Sequence, residues 1–244
     1  MPRIDVTRLR DLLDAAARIT VLTGAGISAE SGIPTFRGPE GLWNNHRPED
    51  LATPDAFARD PELVWRWYDW RRGLVAKARP NPAHTGLAAL EHRHAVSVIT
   101  QNVDGLHARA GSRELIELHG NIWKVRCTGC ALISPNTEVP LQTIPPLCPR
   151  CRLAVRPHIV WFGEAVDPYD YQRSVEMTRS ADVFLVIGTS GLVHPAAGLP
   201  RVAKTAGVTV VEINPDATPH TPLADLVIPE RAVPVFEALQ LRVE

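Results

Sequence analysis

The chain lacks the long apolar run that a membrane-spanning helix needs: in 244 residues no stretch approaches the required length of roughly 20 residues. Its first five residues also carry no apolar segment of the secretory type. Neither charge is in excess, since 26 basic and 27 acidic residues leave a net charge of -1, which argues against general electrostatic binding of nucleic acid. We therefore expect a monomeric cytoplasmic protein with no membrane partner and no specific nucleic-acid partner.

Cysteine is scarce, and all four residues fall in two Cys-x-x-Cys pairs: Cys127, Cys130, Cys148 and Cys151. Zinc favours four soft ligands in a tetrahedron, and each pair can present two thiolates on one tight turn. Disulfides and a redox dithiol are alternatives, but a cytosolic chain argues against the first and two adjacent pairs argue against the second. A nucleic-acid-binding ribbon is a further alternative, although the basic residues of this segment are scattered. We predict one structural zinc ion whose filled shell leaves no place for water.

Short apolar runs alternate with helical patterns, which predicts an α/β protein with a doubly wound, Rossmann-like parallel sheet. Helices are expected at 5–17, 61–78 and 196–206. The segment 122–156 has no long apolar run, which predicts an inserted module in which zinc replaces a normal core. The expected strands are 19–23, 95–100, 114–118, 182–187, 208–213 and 226–228.

A glycine-rich turn directly follows the first expected strand. Gly24 and Gly26 allow the backbone to turn sharply and to approach a ligand where a Cβ would collide. Ala29 takes the third small position of the G-x-G-x-x-G/A dinucleotide fingerprint, which packs a following helix against the strand. A pyrophosphate at this turn would meet free backbone N–H groups and the positive end of that helix. An ordinary dinucleotide fold has an acidic residue about 20 residues further on, but position 44 is asparagine.

The turn and the segment after it, residues 24–38, resemble the signature of the sirtuins, the NAD-dependent protein-lysine deacylases. Further sirtuin-like motifs follow in the family's order, so that the resemblance covers about residues 10–240. The stretch 191–194 is a departure and leaves the adenosine contacts open. The other motifs are QNVDGLH at 101–107, LHG at 118–120, VWFGE at 160–164, GTS at 188–190 and EIN at 212–214, together with the two cysteine pairs.

The resemblance implies removal of acyl groups from protein lysines with consumption of NAD, which gives nicotinamide and 2′-O-acyl-ADP-ribose. It also implies an NAD-binding domain formed by residues 1–42, 79–121 and 157–244, and a small helical and zinc-binding domain formed by 43–78 and 122–156. Two alternatives remain open. One is a protein ADP-ribosyltransferase on the same fold, and the other is a catalytically idle NAD-binding module.

By the same resemblance His119 is the general base, and its ordinary pKa of about 6.5 suits proton removal near neutral pH. Asn102 and Asp104 would act with it by shaping the nicotinamide pocket, although Asn-Val-Asp-Gly is also a favourable turn sequence. Phe36 and Arg37 would lie in a loop that covers NAD, where an ordinary exposed loop is the alternative. The remaining cofactor-binding residues implied are Gly24, Ala25, Gly26, Ala29, Trp43, Gln101, Val103, Gly188, Thr189, Ser190, Asn214 and Ala232.

Tyr68 and Arg71 are three residues apart and share a helix face. They match the Tyr-x-x-Arg of the class III, bacterial-type sirtuins, which prefer succinyl and malonyl groups and often remove acetyl groups as well. An acyl carboxylate needs a guanidinium partner, and the Tyr hydroxyl adds a donor. The alternative is an amphipathic helix with core Trp and surface Arg residues. The extended segment expected at Val160, Trp161, Phe162 and Gly163 would pair with the substrate backbone as an added strand.

Overall fold

The structure, a computed structural model, describes residues 6–35 and 48–241. Strands account for two separate sheets within this part of the chain. Their bounds are β1 (Arg18–Thr23), β2 (Ala95–Thr100), β3 (Leu115–Glu117), β4 (Gly120–Cys127), β5 (Ile133–Pro135), β6 (Val155–Ile159), β7 (Val183–Ile187), β8 (Thr209–Ile213) and β9 (Leu226–Ile228).

The larger sheet is six-stranded and parallel, with the order β3-β2-β1-β7-β8-β9. The chain builds one half outward from β1 and then returns to build the other half outward from β7. The switch point of the topology is therefore between β1 and β7, and ligands of such sheets bind at the carboxyl ends of the strands there. The predicted doubly wound class is confirmed.

Helices cover both faces of this sheet, because strands such as β1 and β7 are apolar and buried on both sides. The helices α1, α6 and α10 pack on one hydrophobic cluster, and α9 contributes to the cluster on the opposite face. Helix bounds are α1 (Thr7–Ala15), α2 (Gly26–Ala29), α3 (Pro48–Leu51), α4 (Pro54–Arg59), α5 (Pro61–Lys77), α6 (Pro82–Leu90), α7 (Leu106–Ala110), α8 (Pro168–Ser180), α9 (Leu199–Thr205) and α10 (Ala232–Leu239).

Element bounds follow the sequence patterns closely. β2 and β9 have the predicted ends, and α5 begins at the predicted Pro61, where the side chain of Asp60 caps the helix by accepting a hydrogen bond from the Leu63 N–H at 2.9 Å. The helix expected at 196–206 begins as a 3₁₀ turn, Ala196–Gly198, before α9. No helix in the described ranges is long and apolar enough to cross a membrane.

The smaller sheet is antiparallel, with the order β5-β4-β6. The expectation that this inserted module lacks a core is wrong. A third hydrophobic cluster joins Val125 and Val155 of the module to Trp65 and other residues of α5. The Trp65 indole also donates a hydrogen bond to the Val155 carbonyl at 2.8 Å. The module therefore shares a core with a helix from an earlier part of the chain, and its metal site adds to that core.

Candidate active site

Three glycines bring the ends of β1 and β7 together at the switch point. The Gly26 N–H donates to the Gly188 carbonyl at 2.8 Å. A Cβ on Gly24 would lie 2.8 Å from the Gly188 oxygen, and a Cβ on Gly26 would lie 2.7 Å from the Gly188 Cα. Gly188 itself has a φ of +59°, which other residues rarely adopt. Only glycine fits these positions, and the result is a tight cradle at the carboxyl ends of the two central strands.

The helix after the first glycines is shorter than the dinucleotide fingerprint predicts. α2 ends at Ala29 after a single turn, Gly26–Ala29. One turn carries little macrodipole, since the effect is a sum over aligned peptide units. The contribution of a helix end to pyrophosphate binding is therefore expected to be small, and pyrophosphate binding at this turn stays a prediction. The N–H groups of Gly24, Gly26 and Ile27 donate to backbone carbonyls within the protein.

Asn102 and Asp104 follow β2 and meet the glycine turn through Ser28. The Asn102 amide nitrogen donates to the Gly24 carbonyl at 3.0 Å and to the Ser28 hydroxyl oxygen at 3.1 Å. The Ser28 hydroxyl donates in turn to an Asp104 carboxylate oxygen at 2.8 Å. Burial raises the pKa of Asp104 above its ordinary value, although hydrogen bonds from the Leu106 N–H and from Ser28 oppose the shift. The predicted pair is thus brought together in one buried network.

Ser28 is a site residue that the sequence reasoning missed. It is 1% exposed and connects the two loops. Its neighbour His84, on α6, is fully buried with Nε2 3.4 Å from the Ser28 oxygen. Ser28 could have been recognised from the sequence, because it lies inside the glycine-rich motif. His84 could not, because Asn-Pro-x-His is also an ordinary sequence at the start of a helix.

His119 lies between β3 and β4, where the chain leaves the large sheet. Its Nδ1 is 3.1 Å from the backbone oxygen of Gln101, and because a carbonyl only accepts, Nδ1 carries the proton. Nε2 is therefore the basic nitrogen of the neutral ring. Burial lowers the pKa of His119 below its ordinary value, and the hydrogen bond to Gln101 partly opposes this. A half-buried imidazole of this kind is neutral at pH 7 and can accept a proton.

Three of the remaining predicted cofactor residues, Gln101, Thr189 and Asn214, follow strands β2, β7 and β8 and are joined by hydrogen bonds at the same sheet edge. The Gln101 amide donates to the Thr189 hydroxyl at 3.0 Å, and the Asn214 amide donates to the Thr189 carbonyl at 2.8 Å. Ser190 is exposed beside them, and Ala232 is buried at the start of α10. Ala25 and Ala29 are partly buried in the glycine turn.

Not every predicted cofactor contact is brought to this edge. The Val103 side chain is buried in the cluster shared by α5 and the inserted module, so its side chain does not line the sheet edge. Phe36, Arg37 and Trp43 lie outside the described residues.

Tyr68 and Arg71 lie together on the buried face of α5, 1% and 6% exposed. The Arg71 guanidinium carbon is 4.8 Å from the Trp67 ring centre and 5.6 Å from the Tyr68 ring centre. Burial lowers the pKa of Arg71 below its usual range, while electrostatic interactions with Tyr68 and Asp104 and a hydrogen bond to Tyr68 oppose the shift. The alternative of a surface arginine is therefore excluded for Arg71, although Arg66 of the same helix is exposed. The Arg71 cation lies within electrostatic reach of Asp104.

Residues 160–164 are not extended throughout, contrary to the prediction. The Val160 N–H donates to the His119 carbonyl at 2.9 Å, but the Glu164 N–H closes a turn onto the Trp161 carbonyl at 3.0 Å. Gly163 has a φ of +86°, as such a turn requires. Phe162 is 47% exposed, and its N–H donates to the Ala52 carbonyl at 2.9 Å.

The four cysteines converge to one cluster, with all sulfur atoms within 4.8 Å of one another and none in a disulfide. The Cys127–Cys151 and Cys130–Cys148 sulfur distances are 3.3 and 3.7 Å, close to the separation of about 3.8 Å in a tetrahedral zinc–thiolate site. Backbone N–H groups of Cys130 and Gly129 point at the Cys127 sulfur and lower its pKa to about 6. The donor set and its geometry fit a single structural zinc ion.

These features define a class of protein: a doubly wound dinucleotide-binding fold with a histidine at the carboxyl edge of the parallel sheet and a four-cysteine metal module. Residues 24–195 match the Sir2 family, and the chain belongs to that family. Its similarity extends to NAD-dependent protein deacylase 2 of Pyrobaculum aerophilum, at 54% identity over 94% of this chain and 92% of the relative. The NAD-dependent protein deacylase of Aquifex aeolicus is 56% identical over 88% and 90% of the two chains.

Solved structures agree with this assignment. A Sir2 homologue in complex with NAD superposes with a TM-score of 0.89 at 49% identity, over 95% of this chain and 91% of the other. A Sir2 protein bound to a p53 peptide and NAD⁺ has a TM-score of 0.87 at 34% identity, over 97% of each chain.

Proposed function

We propose that the chain is an NAD-dependent protein-lysine deacylase that removes acetyl groups and acidic acyl groups, giving nicotinamide and 2′-O-acyl-ADP-ribose. The observation that carries the proposal is His119, whose Nδ1 proton is held by Gln101 beside the buried loop of Asn102 and Asp104. The relatives named above support it, as does a further Sir2 homologue solved with 2′-O-acetyl-ADP-ribose, which is 46% identical to this chain.

In this proposal NAD is a co-substrate that supplies the ribose carbon to which the acyl oxygen bonds as nicotinamide leaves. The side-chain amide nitrogen of Asn102 donates hydrogen bonds to Gly24 and Ser28. Its side-chain carbonyl oxygen would therefore be the atom that accepts a hydrogen bond from the nicotinamide carboxamide. Asp104 and Ser28 are buried, and in this proposal they would help to keep water away from the ribose carbon while nicotinamide leaves. His119 Nε2 would then accept a proton from a ribose hydroxyl, and that oxygen would bond to the acyl carbon; water would complete the transfer and release the free lysine amine.

The acyl specificity follows from Tyr68 and Arg71. A succinyl or malonyl carboxylate would form a charge-assisted hydrogen bond with the buried Arg71 guanidinium, and the Tyr68 hydroxyl would add a neutral donor. Acetyl-lysine brings no such group but still presents the same carbonyl to the co-substrate. We therefore propose that both classes of acyl-lysine are substrates.

The substrate peptide would pair with the backbone near Val160 before the chain turns at Gly163, and the exposed Phe162 would contact it. The zinc ion would be structural. We also propose the division into an NAD-binding domain and a small domain given above. One hydrophobic cluster lies wholly within the NAD-binding ranges and supports it, while the cluster of the small domain also takes in Val103, Ile159 and Trp161 from those ranges. A monomeric state in the cytoplasm stays a prediction.

Mass spectrometry of matched succinyl-lysine and acetyl-lysine peptides, with and without NAD, tests the function. We expect acyl loss only with NAD, and loss of that activity in His119→Ala with zinc content unchanged. His92→Ala, an exposed histidine, is the matched control. Near-normal deacylation by His119→Ala would contradict the general-base role. ADP-ribosylated protein formed without acyl-lysine would instead favour the transferase alternative.

A further inference from the structure

Trp161 is held by contacts on three sides. It is 3% exposed, and its indole N–H donates to the Tyr68 hydroxyl oxygen at 2.9 Å. The Phe57 ring is tilted against it with ring centres 5.4 Å apart. On another side the Arg156 guanidinium carbon lies 3.5 Å from its ring centre. These contacts hold the indole ring in an orientation in which its N–H donates to the Tyr68 hydroxyl oxygen.

The ion pair between Arg156 and Glu164 holds Trp161 in this position. Arg156 donates to both carboxylate oxygens of Glu164, at 2.5 and 2.7 Å, and to the Ile159 carbonyl at 3.0 Å. Glu164 also accepts a hydrogen bond from the Trp161 backbone N–H at 2.9 Å. Although burial opposes it, the bonds from Arg156 and Trp161 keep the pKa of Glu164 below its ordinary value, so the carboxylate is charged at neutral pH. The bidentate pair binds both the backbone and the ring face of Trp161.

The indole bond and a hydrogen bond from Arg71 together decide what the Tyr68 hydroxyl can do. An indole N–H and a guanidinium can only donate, so the phenol oxygen accepts from both, and its own proton is left to be donated to a different group. Burial raises the pKa of Tyr68 above its ordinary value, although the Arg71 charge and the Trp161 bond oppose the shift, so the phenol keeps that proton. Arg71, on the same face of α5, places a cation beside this donor.

We propose that Trp161 is a positioning residue for acyl selectivity: its indole N–H, held by the Arg156–Glu164 pair, directs the Tyr68 hydroxyl proton toward the carboxylate of an acidic acyl chain. The inference rests on the proposed deacylase function and deepens it. It also reassigns Trp161, because a side chain that is buried and bonded in this way acts through Tyr68 and does not touch the substrate.

The test is Trp161→Phe, which keeps an aromatic ring and removes the N–H. We expect kcat/KM for a succinyl-lysine peptide to fall about tenfold, mainly through KM, since one directing hydrogen bond is lost. The value for the matched acetyl-lysine peptide should stay within about twofold, because acetyl has no carboxylate to bind. The control is Trp70→Phe on α5, the helix that carries Tyr68. Trp70 is 51% exposed, and its replacement should change neither value.

A double-mutant cycle with Tyr68→Phe separates positioning from packing. Once the hydroxyl is absent, Trp161→Phe should no longer change the succinyl-to-acetyl ratio. A change of equal size in that background, or an equal fall for both peptides in the single variant, would overturn the inference while leaving the deacylase function standing. A wild type that removes acetyl but not succinyl would overturn it together with the acidic-acyl assignment. A wild type that removes neither group would contradict the proposed function itself.

Discussion

Replacing Arg71 with methionine should remove most of the activity on succinyl-lysine and leave deacetylation in place. Arg71 is 6% exposed, so its bond to an acyl carboxylate would be shielded from water. A hydrogen bond to a charged group contributes about 1.5–3 kcal/mol, which corresponds to a fall of roughly 10- to 150-fold in kcat/KM. Methionine is of similar length and packs well against aromatic rings such as Trp67, so the fold should tolerate the change.

The assay is steady-state deacylation of peptides that differ only in the acyl group. Arg66→Met is the matched control, because Arg66 lies on the exposed side of α5 with a 65% exposed side chain paired to Glu62. It should leave both rates near those of the wild type. Equal loss of succinyl and acetyl activity in Arg71→Met, or equal retention of both, would refute the assignment of Arg71 as the carboxylate-binding residue.

Three further predictions concern the metal, the base and the buried histidines. Metal analysis should find one zinc per chain, and its removal by a chelator or by Cys148→Ser should lower the melting temperature and abolish activity; an unchanged melting temperature in metal-free protein would contradict this. Because burial lowers the pKa of His119 and the neutral ring is active, the acid limb of the kcat/KM profile should lie below pH 6.5, and a limb above pH 7 would contradict the assignment. Burial lowers the pKa of His84 to about 4 and of His107, where the His84 charge adds to the effect, to about 3, so below pH 6.5 the unfolded state binds more protons. The free energy of unfolding measured with urea should therefore fall by about 2 kcal/mol per histidine between pH 7 and pH 5. A total fall below about 1 kcal/mol would contradict the assignment of His84 and His107 as buried neutral residues.

Much of the fold was predictable because its signals are local. The apolar runs of β1, β2, β7 and β8 have no other place than the interior of a parallel sheet, and their bounds were predicted to within one residue. The spacing of the cysteine pairs predicted the cluster for the same reason, since two thiolates on one turn are already half of a tetrahedral site.

The candidate site was predictable only in part. Motif resemblance indicated His119, Asn102 and Asp104, but no local pattern showed that Ser28 joins them, because its partners come from a loop that follows a different strand. The local pattern also gave no length for α2, which is a single turn. A glycine-rich turn before apolar residues is compatible with a long helix or with a single turn, and the packing that follows decides between them.

The amino-acid sequence by itself determined the class of sheet and the metal ligands, because periodicity and spacing are properties of short segments. Resemblance of short motifs also indicated the residues that we propose to react. Only the tertiary structure decided how these groups act on one another. Trp161 and Tyr68 are 93 positions apart in the chain, yet the Trp161 indole donates a hydrogen bond to the Tyr68 hydroxyl oxygen. The Tyr68 hydroxyl therefore donates its own proton to another group. In a buried site, whether a hydroxyl donates or accepts depends on which donors and acceptors lie next to it. Those neighbouring groups come together only once the chain has folded.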